Sequence, residues 1–245
     1  QNDKVLGSLK DMSVTTMYRV NMTDSATLHI TGNKLNPQDE PITLDKGWNW
    51  LGYTPGFSAS PAYALASASP QNGDIIKSQR GFAYYQDYDW IGTLTAMEPG
   101  EGYMYKAAAN RTFYYPSVAP QHLDKAPRFI SKVDSVWHFG QPDYHAYPNT
   151  MTVTSKIIKD GQEVHGADVG FFINGVNWAS SEEIDDWYFI NVTHLGNNIP
   201  IEILVWIPED NLVYNSPTQL EYNDDAIVGS LDNPFIITVG TSTGI

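Results

Sequence analysis

One seven-residue run, Tyr84-Tyr85-Gln86-Asp87-Tyr88-Asp89-Trp90, crowds aromatic rings and carboxylates into a single stretch of chain. Rings offer apolar faces, while phenols and carboxylates offer hydrogen bonds. Tyr84, Tyr85, Asp87, Tyr88 and Trp90 are therefore the candidate ligand surface, and stacking against sugar rings is the chemistry they suit. Packing inside a hairpin is the competing reading of the same residues. A second grouping, Glu182-Glu183-Ile184-Asp185-Asp186, puts four carboxylates on what reads as a loop. Oxygen donors of this kind hold calcium, although the spacing is not that of an EF-hand and a solvated acidic turn is the simpler account in so acidic a chain. Asp224-Asp225 repeats the theme on a smaller scale.

Catalytic signatures are missing. The sequence has no His-Glu-x-x-His, no phosphate loop and no nucleophile elbow; Gly56-Phe57-Ser58-Ala59-Ser60 departs from the elbow at its fifth position. Histidines at 29, 122, 138, 145, 165 and 194 show no helical i,i+4 pairing. A glycoside hydrolase needs two carboxyls about 5–10 Å apart. Glu98, Glu101 and Asp87 are the acids that would serve, but Glu98 and Glu101 flank Pro99-Gly100, a tight turn that explains them without catalysis. No catalytic residue is expected.

The elements that must carry these residues read as strands. Ala26–Thr31, Ile42–Leu44, Trp48–Tyr53, Ile75–Ser78, Gly81–Tyr85, Trp90–Leu94, Gly102–Lys106 and Thr112–Tyr115 make up the first half. In Trp48-Asn49-Trp50 the alternation sets both indoles on one face, expected to be the core. One short helix is predicted over Pro61–Ala68, capped by Ser60 and favoured by Pro at its start and by alanines. Prolines between Pro116 and Pro127 mark a boundary. Beyond it come Thr150–Ile158, Val169–Ile173, Trp187–Val192, Ile199–Ile207, Leu212–Tyr214, Gln219–Tyr222 and Ile236–Val239, with Asx-Gly turns at Asp160-Gly161 and Asn174-Gly175. The expected fold is all-β: two β-sandwich-like domains, the first (1–117) with one short helix, a linker at 118–127, and a second, immunoglobulin-like domain (128–245).

Composition narrows the function classes. The 245 residues carry 28 acidic and 14 basic side chains, a net charge of −14, which disfavours nucleic acid and anionic lipid as partners. Cysteine is absent, removing disulfides, zinc–thiolate sites and thiol nucleophiles. No apolar run approaches the roughly 20 residues of a membrane helix, so membrane insertion of this stretch is not expected.

An internal echo adds modularity. Leu6-Gly7-Ser8-Leu9, Met12 and Met17-Tyr18-Arg19 return as Ile91-Gly92-Thr93-Leu94, Met97 and Met104-Tyr105-Lys106. If the first copy completes the sheet built by Gly47–Lys106, then Leu9 and Val20 belong in the first domain's core.

Several of these residues form a longer pattern: Gly47-Trp48-Asn49-Trp50-Leu51-Gly52-Tyr53-Thr54-Pro55, Gly73-Asp74-Ile75-Ile76-Lys77-Ser78-Gln79, and Met97-Glu98-Pro99-Gly100-Glu101-Gly102-Tyr103-Met104-Tyr105-Lys106. This half resembles a repeat module of large surface and secreted proteins of gut Bacteroidetes. The stretch with Asp168-Val169-Gly170-Phe171-Phe172-Ile173-Asn174-Gly175 and Asp225–Phe235 resembles the immunoglobulin-like sandwich that ends such proteins. Where relatives carry a Cys-Arg-Gly-like run, Val176-Asn177-Trp178-Ala179 stands here. The resemblance implies an extracellular or cell-surface bacterial piece of a longer modular chain. Its implied role is non-catalytic, in adhesion or surface presentation, with a host or bacterial surface protein or a glycan as partner. A carbohydrate-binding module serving a glycan-degrading system is the alternative, and a glycoside hydrolase the weaker one. No cofactor is expected beyond calcium at Glu182, Glu183, Asp185 and Asp186.

Overall fold

The computed structural model describes residues 9–20, 22–27, 29, 31–120, 138–144 and 146–240. His122, His145 and the 121–127 part of the expected linker lie outside the described residues. Contacts divide the chain into two units. One comprises Gln1–Ile76, Tyr84–Ile91 and Thr95–Pro127, the other Lys77–Ala83, Gly92–Leu94 and Arg128–Ile245. The fold is all-β, with several antiparallel sheets and, among the described residues, one short α-helix.

Strands β1 (Ile42–Leu44), β2 (Gly47–Gly52), β3 (Ile75–Lys77), β4 (Phe82–Gln86), β5 (Asp89–Gly92), β6 (Gly102–Ala107) and β7 (Arg111–Phe113) form two sheets. β1 pairs with β7, and the larger sheet runs β2–β6–β3–β4–β5. Pairing of Gly47 with Ala107 through Gly52 with Gly102 makes β2–β6 antiparallel. Leu44, Leu51, Ile76, Tyr105 and Phe113 are buried in the first unit.

The alternation in β2 runs opposite to expectation. Leu51 and Tyr53 turn inward, while Trp48 is half-buried and Trp50 is 41% exposed under the Arg19 guanidinium, 4.8 Å from its ring. An indole face under a cation needs no core to be satisfied. The N-terminal segment also departs from the reading. Leu9 and Val20 are 63% and 74% exposed and are not core residues. Contact is made instead by residues 15–19: the Gly52 N–H donates to the Thr15 carbonyl (2.9 Å), and the Met17 side chain fills the space above Gly102. This segment adheres without becoming a strand, and positions 26, 27, 29 and 31 of the expected Ala26–Thr31 strand are not extended in a sheet.

The predicted helix splits. Helix α1 (Pro61–Ala64) starts where Ser60 Oγ accepts from the Tyr63 N–H (3.3 Å), then gives way to a 3-10 turn at Ala66–Ala68. So short a helix has few i→i−4 bonds to sustain it, and the following Pro70 disfavours helical backbone at Ser69. Ser69 takes a left-handed φ of 47°.

Tyr115 is fully buried, edge-on to Tyr53 and Phe113, and its hydroxyl has no partner among the described residues. Burial pushes its phenol well above the ordinary range. An unpaired buried hydroxyl costs about 1–3 kcal/mol. Tyr115→Phe is therefore expected to leave stability unchanged or raise it by about 1 kcal/mol in urea melts; a loss beyond that would reveal a hidden partner.

The second unit contains β8 (Asn149–Lys159), β9 (Gln162–Glu163), β10 (Asp168–Ile173), β11 (Val176–Ile184), β12 (Trp187–His194), β13 (Asn197–Ile207), β14 (Leu212–Asn215), β15 (Leu220–Asn223), β16 (Ile227–Val228) and β17 (Phe235–Thr238). The sheet path is β14–β13–β10–β11–β12–β8–β16, with β15 on β13 and with β9 and β17 on β8. Its ends approach one another, since the Gly240 N–H donates to the Asn215 carbonyl (2.9 Å). Val153, Val169, Phe171, Ile190, Ile203 and Val205 occupy the enclosed core.

β8 buries both faces rather than one. Its Thr152 and Thr154 are as hidden as Met151 and Val153. The paired strand β12 presents Phe189 and Asn191 opposite these threonines. Phe82 packs edge-on against Phe189, and Asn191 donates to the Gln79 carbonyl (2.7 Å). In the same unit the buried Lys77 ammonium donates to the Thr150 carbonyl and to Asp225, both at 3.1 Å.

Among the described residues, four two-residue hairpin turns have positive φ at both positions: Asp87-Tyr88, Asp160-Gly161, Asn174-Gly175 and Asp185-Asp186. This geometry matches the twist of antiparallel strands and favours Asx-Gly. Two of the four supply glycine second, as the sequence predicts. The other two put Tyr88 and Asp186 in that position.

Candidate functional site

The cleft beside the β4–β5 hairpin is built from two short pieces of the first unit. Ala62, Ala66, Ser69 and Pro70 come from α1 and the turns after it; Tyr85, Tyr88 and Trp90 come from the hairpin. It encloses about 350 Å³, at the small end of ligand pockets. The alanine methyls and Pro70 make one wall apolar. Rings make the other.

Strand alternation decides which rings reach it. Tyr84, one residue from Tyr85 on β4, is buried and does not line the cleft. Trp90 is only 3% exposed and forms a wall, meeting Tyr85 edge-on at 5.3 Å and Tyr105 at 6.0 Å. Its indole N–H has no acceptor among the described residues. Tyr88 stands out at the rim, 94% exposed. Asp87 shares the turn, is exposed, and its N–H donates to Asn72 Oδ1 (3.1 Å). A platform of four exposed rings, as the run of aromatics suggests, is thus not what forms; Tyr85, Tyr88 and Trp90 border one cleft, with Tyr85 and Trp90 edge-on to each other. Burial raises the Tyr85 phenol, helped by neighbouring Tyr88, Asp89 and Asp74, so it stays protonated as a donor.

Behind the cleft lies a residue to which the sequence assigns no separate role. Asp74 is fully buried, and its carboxylate accepts from Tyr105 Oη (2.7 Å), the Ala108 N–H (2.7 Å), the Gln71 N–H (2.9 Å) and the Arg111 guanidinium. Its carbonyl accepts from the Tyr85 N–H (2.8 Å). Arg111 in turn donates to the Ser69 carbonyl (3.1 Å). Both cleft walls are therefore tied to one residue, the Ser69 side through the Asp74 carboxylate and Arg111, the Tyr85 side through the Asp74 backbone carbonyl. Burial and the Asp74 hydrogen bond hold the Tyr105 phenol far above its ordinary range, with Arg111 opposing.

No family model, curated protein or solved structure matches this chain.

The remaining candidates separate. Glu98 is exposed, accepting from Ser58 Oγ (2.7 Å), while its N–H donates to Tyr103 Oη (2.7 Å) and its carbonyl accepts from the Glu101 N–H (3.2 Å) to close the turn. Of the acids assigned to a loop, Glu182 and Glu183 lie in strand β11, and only Asp185 and Asp186 form the turn. The polar centre of Val176–Ile184 hid that strand. Glu183 and Asp186 meet at His165, which sequence reading passed over as a lone histidine: its Nδ1 is 2.6 Å from Glu183 Oε1 and 3.7 Å from Asp186 Oδ1. The Glu183 hydrogen bond holds the His165 imidazolium above its ordinary pKa.

Proposed function

We propose that this chain is a non-catalytic β segment of a bacterial extracellular or cell-surface protein that works by adhesion, with the Tyr85–Tyr88–Trp90 cleft as its point of contact. The observation that carries the reading is Tyr88. Among the described residues with positive φ outside glycine, every other one is Ser, Asp or Asn, whose short side chains bond back to the backbone. Tyr88 has φ 71° and gives almost its whole ring to solvent. That combination costs backbone strain and contributes nothing to the core, which suits a residue retained for contact with another molecule.

A glycan is the ligand class the cleft favours within this reading. An exposed phenol ring stacks on a sugar face, while Tyr85 and Ser69 offer hydroxyls. The acidic chain disfavours anionic ligands and leaves neutral ones. The lining holds no carboxylate, imidazole or amine to move a proton.

Tyr88→Gly separates contact from folding. It relieves the turn, so the variant is expected to be about 0.5–1 kcal/mol more stable while losing binding on a neutral-glycan array and to intact cells. Equal binding by wild type and variant removes the cleft from the function. Turnover of a glycan by the chain would replace adhesion with catalysis.

A further inference from the structure

We propose that His165, Glu183 and Asp186 form a binding site for a divalent transition-metal ion of the zinc type. Its ligands would come from the loop between β9 and β10, the end of β11 and the β11–β12 turn. One imidazole nitrogen and two carboxylate oxygens lie within 4.8 Å of one another. Donors on a tetrahedral zinc, with bonds near 2.0–2.2 Å, sit about 3.4 Å apart. The observed separations from His165 Nδ1, 2.6 Å to Glu183 and 3.7 Å to Asp186, bracket that value. A small opening of the His165–Glu183 hydrogen bond admits the ion.

The donor set selects the metal. Calcium takes six to eight oxygens, and this site supplies two carboxylates and a nitrogen. Imidazole with carboxylate, three protein donors and room for water is a zinc arrangement. Glu183 is the pre-set ligand: its side chain is only 15% exposed and its Oε2 accepts from the Gly166 N–H at 2.5 Å. A partner on the second oxygen orients a ligating carboxylate. Glu163, two residues before His165, is engaged by Lys156 (2.8 Å) and is not counted as a donor. Asp186 stands at φ 68° in a turn position that favours glycine. Bound metal would clamp the loop carrying His165 to the hairpin tip.

The test is calorimetric titration of the full chain with zinc chloride and, separately, calcium chloride, at pH 7.5. Zinc is expected to bind one per chain and more tightly than calcium. His165→Ala and Asp186→Asn should each weaken zinc at least about tenfold, as loss of one of three donors implies. Both residues are exposed, so the metal-free variants should keep the wild-type melting temperature, checked by circular dichroism. Zinc should raise that temperature in the wild type and not in His165→Ala. Absence of zinc binding, zinc binding that survives His165→Ala, or tighter binding of calcium than zinc each overturns the assignment. None of these outcomes bears on the aromatic cleft.

Discussion

Asp74→Ala is expected to destabilise the first unit by about 3–5 kcal/mol, the range for stripping one partner from a buried ion pair. The carboxylate has no exposed surface and the Arg111 side chain keeps only 11% of its own. Removing the acid leaves a guanidinium, a phenol and two backbone N–H groups facing a void. Folded domains hold only about 5–15 kcal/mol in total. A loss of this size therefore shows as a large fall in urea midpoint and as weakened near-ultraviolet dichroism from Trp90 and Tyr105. Asp74→Asn keeps an acceptor and the volume, so it should cost less. A change below about 1 kcal/mol in the alanine variant would mean that water replaces the carboxylate and that the hub is dispensable. Because the Asp74 carboxylate secures Ser69 through Arg111, any folded fraction should bind less well, even though the Tyr85 N–H keeps its bond to the backbone carbonyl of residue 74.

Gly229→Ala carries the largest expected effect in the second unit. A Cβ there would sit 2.2 Å from the Thr154 carbonyl oxygen and 2.7 Å from the Phe235 nitrogen, both backbone atoms, at φ +72°. Backbone cannot rotate aside as a side chain can. Overpacking and left-handed strain together should cost about 3–4 kcal/mol. Gly161→Ala isolates the strain alone, since Gly161 has φ +79° with nothing within 4 Å of the added carbon; it should cost about 1 kcal/mol. Equal losses in the two variants would show that β16 and β17 move off β8 without penalty and would remove close approach as the cause.

The strands and Asx-Gly turns were legible because they depend on neighbours along the chain. Alternation marks β13 even across Pro200, and Asp160-Gly161 and Asn174-Gly175 turn where their residue types require. The same rules put a hairpin around Asp87-Tyr88 and a loop over Glu182–Asp186 without fixing the turn residues, because nothing local marks the two positive-φ positions of a turn that lacks glycine. They also set the indoles of β2 on the wrong face. Trp48-Asn49-Trp50 alternates either way round, and only the inward course of Leu51 and Tyr53 settles which side is core.

Composition and periodicity by themselves determined an all-β chain with one brief helix and an aromatic hairpin as its candidate contact point. Tertiary structure alone decided which aromatics reach solvent, that Asp74 meets Arg111, and that His165 meets Glu183 and Asp186. The physical reason is range. Hydrogen-bonded turns and pleats are set within a few residues, whereas Asp74 and Arg111 stand 37 positions apart and His165 and Glu183 stand 18 apart. Pairs so separated meet only when strand register brings them together, and register depends on the packing of the whole core.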